Sequence, residues 1–107
     1  MVSIQNFKII ASSFPDVQEL PHFEKISFRS NKKIFATLNE KEAIACLRLS
    51  LTDQSVFCAY DREIIYPVSN KWGQQGWTFF ELKKIRTDML KDALKLAYES
   101  VQKKSKK

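Results

Sequence analysis

Apolar residues recur at helical spacing near the start of the chain, at Ile4, Phe7, Ile10 or Ala11, and Phe14. This predicts a first helix, capped by Ser3 and ended by Pro15. The pattern then dissolves, because PDVQELPHFEK, residues 15–25, carries two prolines and scattered charges and reads as a surface connection. ISFRS and IFATL flank Asn31, a residue that tolerates the left-handed turn conformation, so these segments predict a β-hairpin. In AIACLRL, alternation sets Ala43, Ala45, Leu47 and Leu49 on one face and Cys46 and Arg48 on the other, which predicts a strand. Thr52 or Asp53 is the expected cap of a short helix, DQSVFCAYD, packing Val56, Phe57 and Tyr60, and IIYPV reads as a short extended segment ended by Pro67.

The stretch NKWGQQGWTFFEL, residues 70–82, holds both tryptophans and both glycines. Glycine serves where the backbone needs positive φ or close approach, so Gly73 and Gly76 predict a special turn entering a strand at Trp77. A phosphate loop is excluded by the missing GxxxxGK[ST] pattern. Trp77, Phe79 and Glu81 alternate with Thr78, Phe80 and Leu82, which places aromatic content on both faces and argues for a central or helix-covered strand. Trp77 is expected in the core and Trp72 partly exposed in the loop. Thr87 is the expected cap of a closing helix whose stripe is Leu90, Leu94, Ala97 and Val101, with Asp88 at its positive end. This order of elements predicts an α+β fold: an antiparallel sheet with N- and C-terminal helices packed on one face.

Composition narrows the class. With 107 residues, 44% hydrophobic and eight Phe among them, the chain suits one domain over residues 1–102 that folds without disulfides or metal, followed by a basic tail at 103–107. No apolar run reaches the roughly 20 residues of a membrane span, and MVSIQNFKII lacks the marks of a signal peptide. The chain is therefore expected to be cytoplasmic, off the membrane and monomeric. Cys46 and Cys58 show no CxxC or zinc spacing and read as reduced thiols packed as small hydrophobes. The net charge of +6 invites a nucleic-acid reading, but Lys103, Lys104, Lys106 and Lys107 lie in the tail, so residues up to Gln102 hold 14 basic and 12 acidic side chains, a net of +2.

PHFEKISFRSNKKIFATL (21–38), YPVSNKWGQQGWTFFEL (66–82) and MLKDALKLAYESV resemble the MmcQ/YjbR family, small bacterial proteins often labelled DNA-binding. The resemblance covers roughly residues 3–101 in matching order. It rests on Pro21-His22-Phe23, the Lys33 to Ala36 segment, Gly76-Trp77 and Ala97-Tyr98. It implies a two-layer, CyaY-like α+β fold and a DNA-binding role through a strand-rich double-wing motif. Where relatives commonly carry glycine in the first hairpin, this chain has Ser30-Asn31-Lys32. Frataxin-type iron binders share the fold group and use carboxylates on the first helix, yet SIQNFKIIASSF has no acidic residue. An iron site is therefore not expected.

The candidate nucleic-acid residues are Lys32 and Lys33 in the hairpin turn, Arg48 on a strand, and Lys71, Trp72, Lys83, Lys84 and Arg86 around the aromatic stretch. If these meet on one face, the cations contact phosphates while Trp72 stacks a base; otherwise they are a solvated surface. The single histidine, His22, has no visible partner for general-base work. No catalytic residue, metal site or cofactor is expected, and the chain reads as a non-enzymatic DNA-binding domain. The alternative is a protein-interaction or small-ligand-binding module using Trp72, Tyr66, Phe79 and Phe80.

Overall fold

A computed structural model describes residues 1–102, so the basic tail expected at 103–107 lies outside the described residues. In order, the elements are α1 (Ile4–Ser12), β1 (Gln18–His22), β2 (Lys25–Ser30), β3 (Lys33–Asn39), β4 (Ile44–Arg48) and α2 (Leu51–Tyr60). They continue with β5 (Ile65–Pro67), the short α3 (Lys71–Gln74), β6 (Trp77–Glu81) and α4 (Thr87–Ser100). The six strands pair antiparallel in the order β1-β2-β3-β4-β6-β5, and the helices lie on one side of the sheet, as the sequence pattern predicted.

Alternation explains the inner layer. Phe28, Ala36, Leu47 and Thr78 stand opposite one another across β2, β3, β4 and β6, and Leu38, Ala45, Phe80 and Ile65 form the next row. All of them are buried. Over them lie Phe7 and Ala11 of α1 and Leu90, Ala93, Leu94 and Ala97 of α4, joined in one apolar cluster. The Phe7 ring meets Phe28 edge-on at 5.5 Å. A bulge between Phe28 and Arg29 leaves Phe35 without a cross-strand partner, so Phe35 turns inward against Tyr98, with ring centroids 5.6 Å apart. Ile34, paired with Arg29, stays on the outer face.

Local signals account for most boundaries. Ser3 accepts a hydrogen bond from the Asn6 amide at 3.0 Å and starts α1. The two residues between β2 and β3, Asn31 and Lys32, have φ of 57° and 66°, the paired left-handed geometry that suits a two-residue hairpin.

Three expectations are corrected. The segment 15–25 contains β1, whose residues are almost all exposed. It is an edge strand, which is why Pro21, lacking an amide hydrogen, is tolerated there. Helix α2 starts after Ser50, which accepts from the Asp53 amide at 3.0 Å, and it buries Gln54 and Cys58 rather than Val56 and Tyr60, which are 64% and 54% exposed. The helix is turned inward on its amide. Helix α4 takes Arg86 as its cap residue with no side-chain cap bond, so Thr87 is the first helical residue; its predicted stripe is buried as expected.

The glycine pair serves backbone contact. A Cβ on Gly73 would stand 1.9 Å from the Val68 carbonyl oxygen, and one on Gly76, where φ is +104°, would stand 1.8 Å from that of Leu49. The Leu49 amide donates to the Gly76 carbonyl at 3.0 Å, so neither strand can withdraw without losing the ladder. Gly76→Ala is expected to lower stability by about 2–4 kcal/mol, combining strained φ with a backbone clash. Loss of the helix cap in Ser3→Ala should cost about 1 kcal/mol. Urea unfolding midpoints at unchanged slope measure both.

Candidate nucleic-acid interface

The residues that alternate with the core point away from the helices. Ser27, Thr37, Cys46, Phe79 and Tyr66 form one row across the sheet. At one end of that face Arg29 is paired with Ile34, and Arg48 with Trp77. Trp77 is half-buried on this outer face, not in the core as expected from its sequence setting. The reason is parity: Thr78 and Phe80 take the inward positions, so Trp77 and Phe79 must face out.

Helix α3 adds a second tryptophan to the same face. The Asn70 side chain accepts from the Trp72 amide at 2.9 Å, and Gly73 lets the turn press on Val68. Trp72 emerges 50% exposed and borders an apolar hollow of about 430 Å3 floored by Thr37, Cys46 and Phe79 and walled by Ile34, Val68 and Trp77. His22 and Lys25 close its far side, and the His22 ring stands edge-on to Phe23 at 4.9 Å.

A second hollow, of about 470 Å3, adjoins the first and shares Ile34, Trp72 and Trp77 with it. Its rim carries Arg29, Lys32, Lys33 and Arg48. Among the described residues the ion pairs are Lys8 with Glu40 and Arg86 with Asp88, so the four rim cations have no acidic partner there. Arg29 Nε donates to Ser27 Oγ at 3.1 Å, which aims the guanidinium along the sheet. An uncompensated cluster beside exposed aromatic rings attracts anions that carry flat apolar groups.

Of the residues singled out from sequence, Lys32, Lys33, Arg48 and Trp72 come together at this hollow. Lys71 is exposed beside Trp72 in α3 without lining it. Lys83, Lys84 and Arg86 do not join them, because they follow Glu81, at the end of β6 opposite Trp77. Arg86 is already paired with Asp88 at 3.2 Å. Arg29 escaped the sequence reading. The signal was present, since a two-residue turn at Asn31-Lys32 places Arg29 opposite Ile34, level with the strand end that bears Arg48.

The opposite end of the face carries mixed charge. Glu42 lines a small hollow with Lys25 and Asn39, and the Tyr66 hydroxyl donates to the Glu81 carboxylate. That hydrogen bond, aided by burial and the carboxylate charge, pushes Tyr66 ionisation up to about 12. Tyr66 packs on Phe79 with ring centroids 5.7 Å apart. Among the described residues no three His, Cys, Asp or Glu side chains gather as a metal would need, and no helix is long and apolar enough to cross a membrane.

No family model and no curated protein matches the chain. Among solved structures the chain is similar to a Deinococcus radiodurans protein, DR2400, a DUF419 domain, with a TM-score of 0.84 at 17% identity. The match covers 100% of this chain and 83% of that one. At that identity the likeness shows the fold, and the site must be argued from this chain's own side chains.

Cys46 reports on the apolar hollow. Burial pushes its thiol up from 9.0 to about 11, against smaller opposing effects of Lys25 and the Thr78 backbone. A raised value keeps the thiol protonated at neutral pH, so thiolate should be roughly a hundredfold scarcer there than for a free cysteine. In Cys58→Ala protein, alkylation of Cys46 is expected to be correspondingly slow at pH 8. Its rate should climb about tenfold per pH unit toward pH 11, as followed by mass spectrometry.

Proposed function

We propose that this chain is a non-catalytic DNA-binding protein of the MmcQ/YjbR kind, acting through the outer face of its sheet. One observation carries the reading: Arg29, Lys32, Lys33 and Arg48, without acidic partners among the described residues, share one hollow with Trp72 and Trp77. Cations at that density attract a polyanion, and the exposed rings beside them give bases a surface to contact. The sequence resemblance to MmcQ/YjbR and the fold likeness to a DUF419 domain, a member of that group, support the same reading. A module for a small apolar ligand is the second reading, favoured by the 430 Å3 hollow with Val68, Phe79 and Trp72 in its walls.

Two double variants separate a local site from bulk charge. Arg29→Glu/Arg48→Glu and Lys83→Glu/Lys84→Glu change net charge equally but alter opposite ends of the sheet. Anisotropy of a labelled oligonucleotide across a salt series should show the first pair weakening binding by roughly tenfold or more, with the slope of log affinity against log salt reduced by about 2. The second pair should stay within about threefold. Equal losses in both would assign binding to net charge alone. Absence of binding by the unaltered chain at physiological salt would leave the small-ligand reading.

A further inference from the structure

Resting on the DNA-binding reading above, we infer that the preferred ligand is single-stranded DNA, with one unstacked base in the apolar hollow and its phosphate in the basic one. The two hollows touch along a common wall of Ile34, Trp72 and Trp77. A nucleotide has the same division, a flat apolar base on one side of the sugar and an anion on the other. In a duplex the base faces are covered by their neighbours and only the edges show in the grooves, so ring-on-ring contact at Trp72 requires a base outside a stack.

Among the described residues, no helix long enough to lie in a major groove stands on this face. Helices α1, α2 and α4 pack behind the sheet, and α3 spans only Lys71–Gln74, too short to lie in a major groove. The footprint of charge is also small. Lys32, Lys33, Arg29 and Arg48 crowd one end, whereas the other mixes Lys25 with Glu42 and Glu81. A duplex gripped mainly through phosphates draws on about 6–10 contacts, while a single strand supplements fewer contacts with stacking. The phosphate path consistent with these positions runs across the strand ends, from Lys33 and Arg29 over Arg48 toward Lys71.

The sugar decides between DNA and RNA. Joining base to phosphate, it lies over Ile34, Trp72 and Trp77, a wall that presents mostly carbon. A protein that distinguishes RNA does so by hydrogen bonding the 2′-hydroxyl, and a wall of carbon offers that hydroxyl little to bond. Deoxyribose fits this wall better.

Titration of the full chain with a labelled oligo-deoxyuridine strand, an oligo-uridine strand and a mixed-sequence duplex of equal length tests the inference. The comparison includes Trp72→Ala and Arg29→Glu/Arg48→Glu, with circular dichroism confirming that each variant folds. The expected result is single-stranded DNA bound at least about tenfold more tightly than duplex. Trp72→Ala should weaken the single strand by roughly 5- to 100-fold while shifting duplex binding less than about threefold. Duplex affinity equal to or above that of the single strand, or equal sensitivity of both to Trp72→Ala, overturns the single-strand assignment. If Arg29→Glu/Arg48→Glu still weakens binding in that case, the DNA-binding reading stands without it. RNA bound as tightly as DNA overturns the choice of sugar, and absence of binding to all three ligands overturns both readings.

Discussion

Gln54 reaches from α2 into the turn that precedes β6, where its amide nitrogen donates to the Gly73 carbonyl at 2.9 Å, the Thr78 hydroxyl at 3.1 Å and the Trp77 carbonyl at 3.2 Å. The Thr78 hydroxyl in turn donates to the Gly76 carbonyl at 2.9 Å. A buried amide is unfavourable unless its hydrogen bonds are made, and displacing it would leave its own N–H donors unpaired. The turn cannot pull away on its other sides either, since Gly73 and Gly76 press their backbones onto Val68 and Leu49. Helix α3 is therefore held in place despite its single turn, and Trp72 projects from a rigid base. A half-exposed ring fixed in advance loses less freedom on contact than one on a loose loop, which is the condition for useful stacking.

The same network couples the two layers of the fold. Gln54 belongs to the helix layer, Thr78 to the buried face of β6, and Trp77, one residue earlier, to the open face. Packing on the hidden side thereby sets the position of side chains on the exposed side. The bulge at Phe28/Arg29 works in the same sense. By turning Phe35 inward it completes the contact with Tyr98, and it leaves Ile34 and Arg29 together outside. A core requirement and a surface arrangement are met by one irregularity.

Much of this was legible in the sequence where side chains obey a period. The hairpin at Asn31, the two-faced strand at Ala45 to Arg48 and the α4 stripe all followed from spacing, because burial selects apolar residues at alternate or helical positions. β1 did not, since an edge strand with nearly every residue exposed has no burial to select for, and Pro21 argued against pairing. The face of α2 was misread for the opposite reason: its most constrained side chain is a glutamine, whose partners are backbone carbonyls that only the folded chain brings near. Trp77 was placed in the core by its bulk, although its own alternation with Thr78 and Phe80 put it outside. For the candidate site, residue types were readable and proximity was not. Lys83, Lys84 and Arg86 adjoin the aromatic stretch in sequence but sit a strand length away from Trp72, whereas Arg29 is distant in sequence and close in register.

Net charge is the weaker guide for a domain of this kind. A body carrying +2 up to Gln102 would bind phosphates poorly if its charges were evenly mixed. They are unevenly spread on this face: Arg29, Lys32, Lys33 and Arg48 collect where the β2–β3 hairpin and the end of β4 meet, while Lys25 and the carboxylates Glu42 and Glu81 stand at the other end. Over distances shorter than the screening length, about 8 Å at physiological ionic strength, a ligand at the basic end responds to those cations far more than to the distant acids. The end of α4 braces this hairpin: Gln102 donates to Ser30 at 2.8 Å, and Asn31 donates to the Val101 carbonyl at 3.3 Å. The quantity that matters is the charge beside Trp72, and there Arg29, Lys32, Lys33 and Arg48 share one hollow with it.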